Sequence, residues 1–134
     1  MWKDDRDEID DLWCGFLNKS DRYPCKCPIC KKRHAHIYVH RYQGKKGTAW
    51  MWCSECRHCT HGTMFIPGWW EDDDFIDIYR TASHPDYLET QKIAIDSYVN
   101  RVLDNTKNFI KGDVDAGHYN AFIRISKKIC KKQG

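Results

Sequence analysis

Cys25-Lys26-Cys27-Pro28-Ile29-Cys30 and Trp52-Cys53-Ser54-Glu55-Cys56 are the two stretches on which the fold turns. Each contains a C-x-x-C pair, Cys27/Cys30 and Cys53/Cys56, and 22 residues separate the pairs. A C-x-x-C turn is tight enough to aim two thiolates at one point, while amides in the turn offset their negative charge. Two such turns at this spacing predict a tetrahedral four-thiolate metal site, with zinc as the expected ion. Metal binding would then supply folding energy to a segment with little apolar core of its own.

The residues between the pairs fit that geometry. His34, His36, Tyr38, His40 and Tyr42 alternate with Ala35, Ile37, Val39 and Arg41, the period of a β-strand over 34–42. Gln43-Gly44-Lys45-Lys46-Gly47 reads as a turn, Thr48–Trp52 as a returning strand, and Thr63–Ile66 as a third short strand halted by Pro67-Gly68. An antiparallel hairpin of this kind brings the two cysteine turns together.

At these residues the chain resembles the zinc-ribbon family, in which two cysteine knuckles sit at the ends of a short antiparallel sheet. The resemblance covers roughly 23–67, with Cys27, Cys30, Cys53 and Cys56 matching the ligands position by position. The run Ala35-His36-Ile37-Tyr38 and Trp50-Met51-Trp52-Cys53 is similar to small bacterial zinc-ribbon proteins. The resemblance implies one structural Zn2+ and a platform that binds protein or nucleic acid.

The chain departs from the simple pattern by carrying extra ligand candidates: Cys25, Cys59, His58 and His61. Cys56-Arg57-His58-Cys59 is itself a C-x-x-C, so a ligand set with Cys59 in place of Cys53 stays open, as does a second metal. One zinc needs only four ligands, which favours Cys25 and Cys59 as buried free thiols.

Outside the ribbon the pattern is helical. Ile9, Leu12, Trp13, Phe16 and Leu17 share one face of a predicted helix over 4–18, with acidic residues crowding its first turns. Phe75, Ile76, Ile78 and Tyr79 suggest a short helix. Ser83-His84-Pro85 reads as a helix start, followed by a stripe of Leu88, Ile95, Val99, Val102, Leu103 and Ile110 to about Lys111, with Gly112 as its stop. A last helix is expected over 114–131, with Tyr119, Phe122, Ile123 and Ile129. Cys14 and Cys130 read as core residues on helix faces, and Trp69-Trp70 as the joint between ribbon and helices. The expected whole is one α+β domain over 1–134: an N-terminal helix in 1–22, a zinc ribbon with a three-stranded antiparallel sheet in 23–68, and a helical region in 69–134.

The 134 residues carry a net charge of +3, yet the charge is segregated: −3 in 1–24, +7 in 25–70, −6 in 71–96 and +5 in 97–134. The N-terminus is acidic without an apolar leader, and no stretch approaches the roughly 20 apolar residues of a membrane span, so a cytoplasmic protein is expected. A closed four-thiolate site argues against catalysis, and no H-E-x-x-H or G-x-S-x-G is present. His34, His36 and His40 on one strand face read as a solvated polar row.

That leaves binding. Segregated charge suits a protein partner of complementary charge, for which Asp72, Asp73, Asp74, Lys31, Lys32, Lys45 and Lys46 are candidate contacts. By analogy with small immunity and antitoxin proteins, the acidic clusters at 4–11 and 71–77 would cover a basic surface such as a nuclease toxin. Nucleic acid is the alternative: lysines and arginines of the ribbon would meet phosphates, with Tyr38, Tyr42, Trp50 or Trp52 stacking on bases, or those aromatics pack against the helices instead.

Overall fold

The computed structural model describes residues 1–83 and 85–105. Ile110, Gly112, Cys130 and the helix expected over 114–131, with Tyr119, Phe122, Ile123 and Ile129, lie outside the described residues.

The element order is a 3-10 turn (Asp7–Asp11), α1 (Leu12–Leu17), β1 (Ala35–Gln43), β2 (Lys46–Cys53), β3 (Cys59–Phe65), a 3-10 turn (Ile78–Ser83), α2 (Asp86–Thr90) and α3 (Lys92–Asn105). The strands form one antiparallel sheet in the order β1-β2-β3. With its helices this is the expected α+β arrangement. Ala35 pairs with Cys53, Ile37 with Met51 and Val39 with Ala49, until the register shifts between Arg41 and Gln43. Gly44, at φ 56°, makes the turn into β2. That left-handed conformation favours glycine, which has no Cβ to clash. β2 extends beyond the predicted 48–52 at both ends, and β3 begins at Cys59 rather than Thr63 because Trp52 pairs directly with Cys59.

The centre of the sheet is covered on both sides. Ile37, Val39, Ala49 and Met51 on one face are buried, and so are His36, Tyr38, Trp50 and Trp52 on the other. The histidine row is therefore not solvated as expected. His36 is only 3% exposed, because α3 packs on that side and brings Asp96 to its ring. His40 is half-buried beside Asp72, and His34 alone of the three is exposed. Tyr38, Trp50 and Trp52 are packed away with it; of the four aromatics considered for base stacking, Tyr42 is the exposed one.

The N-terminal helix is shorter than the apolar period suggests. Lys3 is held as extended chain: its N–H donates to the Arg57 carbonyl (2.8 Å), and the Lys3 carbonyl accepts the Cys59 N–H (2.7 Å). Arg6 is still extended, at φ −127° and ψ 116°, so helical geometry starts only at Asp7. The predicted stripe is nonetheless buried at Ile9, Leu12, Trp13 and Phe16.

The long helix predicted from Ser83 is also divided. α2 starts at Asp86 with Pro85 as its N-cap and no side-chain cap, and Gln91 (φ −104°, ψ 9°) breaks it from α3. Thr90 Oγ1 donates back to the Tyr87 carbonyl, a local bond that competes with helix propagation. The predicted apolar stripe is buried at Leu88, Ile95, Val99, Val102 and Leu103. Trp70 sits between the helices, its ring 5.5 Å from Phe16 of α1 and 5.9 Å from Tyr98 of α3. Trp69 also packs on Phe16, at 5.2 Å.

Candidate metal centre

Two turns of matching backbone geometry meet at one end of the sheet. In the first, the Lys31 N–H donates to the Cys27 carbonyl (3.0 Å) and the Cys27 N–H to the Lys32 carbonyl (2.8 Å). In the second, the Arg57 N–H donates to the Cys53 carbonyl (3.0 Å) and the Cys53 N–H to the His58 carbonyl (3.0 Å). The residue after each second cysteine is left-handed, Lys31 at φ 67° and Arg57 at φ 65°. Neither is glycine, so each turn carries local backbone strain that the surrounding bonds must hold.

The result is a cluster of four sulfurs. Cys27, Cys30, Cys53 and Cys56 place their Sγ atoms within 4.8 Å of one another. Cys27 Sγ lies 3.7 Å from Cys56 Sγ, and Cys30 Sγ lies 3.7 Å from Cys53 Sγ. A tetrahedron with metal–sulfur bonds of about 2.3 Å has edges of about 3.8 Å. These pairs match that edge, so the four residues can hold a metal ion with little rearrangement.

The electrostatics suit thiolates. The amides of Ile29 and Cys30 point at Cys27 Sγ, and those of Glu55 and Cys56 point at Cys53 Sγ. Burial is the largest influence on Cys27 and Cys53 and pushes both thiols up against those donors. Burial pushes Cys30 up as well, but the Lys32 amide and the neighbouring thiols outweigh it and bring this thiol below its ordinary value. A metal cation at the centre supplies the charge that lets all four ionise together.

The extra candidates fall outside this cluster. Cys25 pairs its backbone with Ala35 at the free edge of β1, and Cys59 opens β3; both are buried free thiols raised by burial. A set with Cys59 in place of Cys53 does not match the geometry, because Cys53 completes the tetrahedral edge. His58 is buried, with Nε2 3.6 Å from Asp5, and His61 is exposed. Cys14 is buried in the core, as expected.

The candidate contact residues have different fates. Asp72 is used within the fold: its carboxylate accepts the Arg41 N–H (3.0 Å) and Trp70 Nε1–H (3.0 Å). Asp73 Oδ1 accepts the Phe75 and Ile76 amides (3.1 and 2.9 Å). Asp74 is exposed. Lys31 and Lys32 stand exposed on the first knuckle, where Lys32 pairs with Glu55 of the second (2.9 Å). Lys46 is exposed and Lys45 half-buried at the opposite end of the hairpin. The structure thus separates two groups of lysines that net charge alone had pooled.

Beside the second knuckle lies a polar network that sequence reading missed. His36 Nδ1 meets both oxygens of Asp96 (2.8 and 2.9 Å), and His36 Nε2 meets Ser54 Oγ (2.9 Å). Ser54 Oγ–H donates to Glu89 Oε1 (2.6 Å), Trp52 Nε1–H donates to the same oxygen (3.0 Å), and Lys92 Nζ donates to Glu89 Oε2 (3.0 Å). Burial pushes the Glu89 carboxyl up, but the bonds from Ser54, Lys92 and Trp52 outweigh it and hold it below its ordinary value. The order Asp96–His36–Ser54 resembles a hydrolytic triad. However, Ser54 already gives its proton to Glu89, and Lys92 Nζ lies 3.4 Å from its oxygen, so the hydroxyl is held as a structural link rather than as a free nucleophile. The only sequence signal for the network was the strand period that put His36 on one face with Tyr38 and His40; its pairing with Trp52 came from the structure.

Comparison with protein-family models, with curated proteins and with solved structures found no match. Among the described residues, no helix is long and apolar enough to cross a membrane.

Proposed function

We propose that this chain is a zinc-ribbon protein with one structural Zn2+, and that it acts by non-catalytic binding of a protein partner. The observation that carries the metal assignment is the four-sulfur cluster with opposing Sγ pairs at 3.7 Å. An all-thiolate tetrahedral set is the donor chemistry of structural zinc, and it leaves no open position for substrate.

The acidic N-terminal run supports a protein partner with a basic surface. Asp4, Asp5, Asp7 and Glu8 are exposed and follow the segment that Lys3 pins to the second knuckle. An inhibitor of a basic enzyme, such as a cytoplasmic nuclease toxin, is the partner class this charge suits. Because Asp72 and Asp73 serve the fold, the 4–11 cluster is the better contact. Pull-down with the zinc-loaded full chain tests this. We expect one salt-sensitive partner, lost on the triple reversal Asp4→Lys, Asp5→Lys, Asp7→Lys; a partner retained by that variant refutes the acidic contact.

One observation favours nucleic acid as the second reading. Lys26, Lys31, Lys32 and Arg33 are all exposed on the first knuckle. Under this reading, affinity for a duplex oligonucleotide falls linearly on a log–log salt plot, and its slope shrinks when these four are changed to Glu. Binding that is absent at low salt removes this reading.

A further inference from the structure

The two residues flanking ligand Cys53 share one acceptor. Trp52, on its N-terminal side, donates to Glu89 Oε1 at 3.0 Å; Ser54, on its C-terminal side, donates to the same oxygen at 2.6 Å. Glu89 belongs to α2, more than thirty residues away in sequence. A second arm runs from Ser54 Oγ through His36 to Asp96 on α3. Cys53 itself is 0% exposed, so its position is set by this backbone and not by solvent.

From this geometry we propose that Glu89 is a positioning residue of the metal centre: by gripping Cys53 from both sides, it couples metal occupancy to the seating of α2 and α3. The proposal rests on the zinc reading above. The physical basis is general, since groups that hold a ligand's neighbours in place set how well the ligand is pre-organised for the ion. When the ion binds, Cys53 stops moving, and Trp52 and Ser54 are held where Glu89 can accept both bonds. Loss of the ion would remove that constraint on Cys53, and the Glu89 bonds would weaken with it. Linkage makes the effect reciprocal: what zinc does to the helices, the helix carboxylate does to zinc.

The alternative is that Glu89 merely anchors α2, with no consequence for the ion. The two differ in zinc affinity. Competition of the full chain against a chromophoric chelator first establishes one zinc per wild-type chain; no bound zinc there refutes the metal reading and leaves nothing for Glu89 to position. With zinc bound to wild type, Glu89→Ala is expected to weaken affinity about 10- to 100-fold, the range for ligand-supporting residues. A control such as Phe16→Leu, selected for an equal loss of Tm, is expected to stay within about threefold, because it touches none of these groups. Glu89→Ala within threefold of wild type overturns the proposal, as does a control that loses as much affinity. Should Glu89→Ala fail to fold, Ser54→Ala removes one hydroxyl and decides the matter: roughly tenfold weaker zinc supports the coupling, and unchanged affinity overturns it. In the supporting case, removing zinc from wild type also speeds amide exchange across α2 and α3, and it does so less in Ser54→Ala.

Discussion

Replacing Cys53 by serine is the most direct challenge to the metal centre. Cys53 is wholly buried, and its Sγ lies 3.7 Å from that of Cys30. An unstrained tetrahedral zinc–thiolate site has an edge of about 3.8 Å. The wild-type ligands are thus pre-organised, so little of the binding energy goes into rearranging them. With free zinc at a thousandfold over Kd, binding to the native state adds about 4 kcal/mol of stability. For a chain of this size, roughly 3–5 °C of Tm accompanies each kcal/mol, so chelation should lower the wild-type Tm by about 12–20 °C. Cys53→Ser leaves three thiolates and a hydroxyl that does not ionise near neutral pH. It should bind zinc far more weakly and melt near the chelated wild type, with or without added zinc. Native mass spectrometry and differential scanning calorimetry read both quantities. A variant that retains one zinc per chain and the full chelator-sensitive shift would show that the ligand set is wrong.

Other perturbations test the packing and the surface. Trp70→Ala removes a buried ring that touches Phe16 and Tyr98. It should cost about 3–5 kcal/mol by urea denaturation, and a loss below about 1 kcal/mol contradicts its place at the joint. Gly47→Ala pushes a methyl against the His40 carbonyl, 2.7 Å from Ile66 Cγ1 and 2.8 Å from Arg41 Cα. That crowding should destabilise by about 1–3 kcal/mol in the same assay, and no loss would contradict it. Asp72→Ala strands the Arg41 and Trp70 N–H groups. It should cost about 1–3 kcal/mol, whereas Asp74→Ala should change stability by less than about 0.5 kcal/mol; equal effects would refute the distinction. The Glu89 carboxyl is held below its ordinary value of 4.5, so its ionised form contributes stability that is fully present above that pH and is lost as pH falls through the lower folded value. The Tm difference between wild type and Glu89→Gln should therefore be constant at neutral pH and shrink in acid; a difference that grows on acidification contradicts the assignment.

Much of the site was legible from spacing alone. Cys27, Cys30, Cys53 and Cys56 could be grouped because C-x-x-C turns are local objects whose geometry depends on few neighbours. The hairpin and the buried stripes of α1 and α3 were legible for the same reason: period 2 and period 3.6 state which residues share a face. Periodicity does not say what covers that face. It placed His36 beside Tyr38 and His40, but whether water or Asp96 met its ring depended on a helix sixty residues further on. Likewise the apolar stripe from Ile9 to Leu17 described a helix over 4–18, and only the pairing of Lys3 with Arg57 and Cys59 decided that the helix would start late. The charge of Asp72 was visible as charge, but not that Arg41 and Trp70 would consume it.

The cysteines divide along the same line. The sequence by itself determined the ligand-bearing turns, since each is written in four consecutive residues. Tertiary structure alone decided that Cys25 and Cys59 stand outside the cluster and that Glu89 holds both neighbours of Cys53. Contacts between distant segments follow from how the whole chain packs, and no local pattern encodes them.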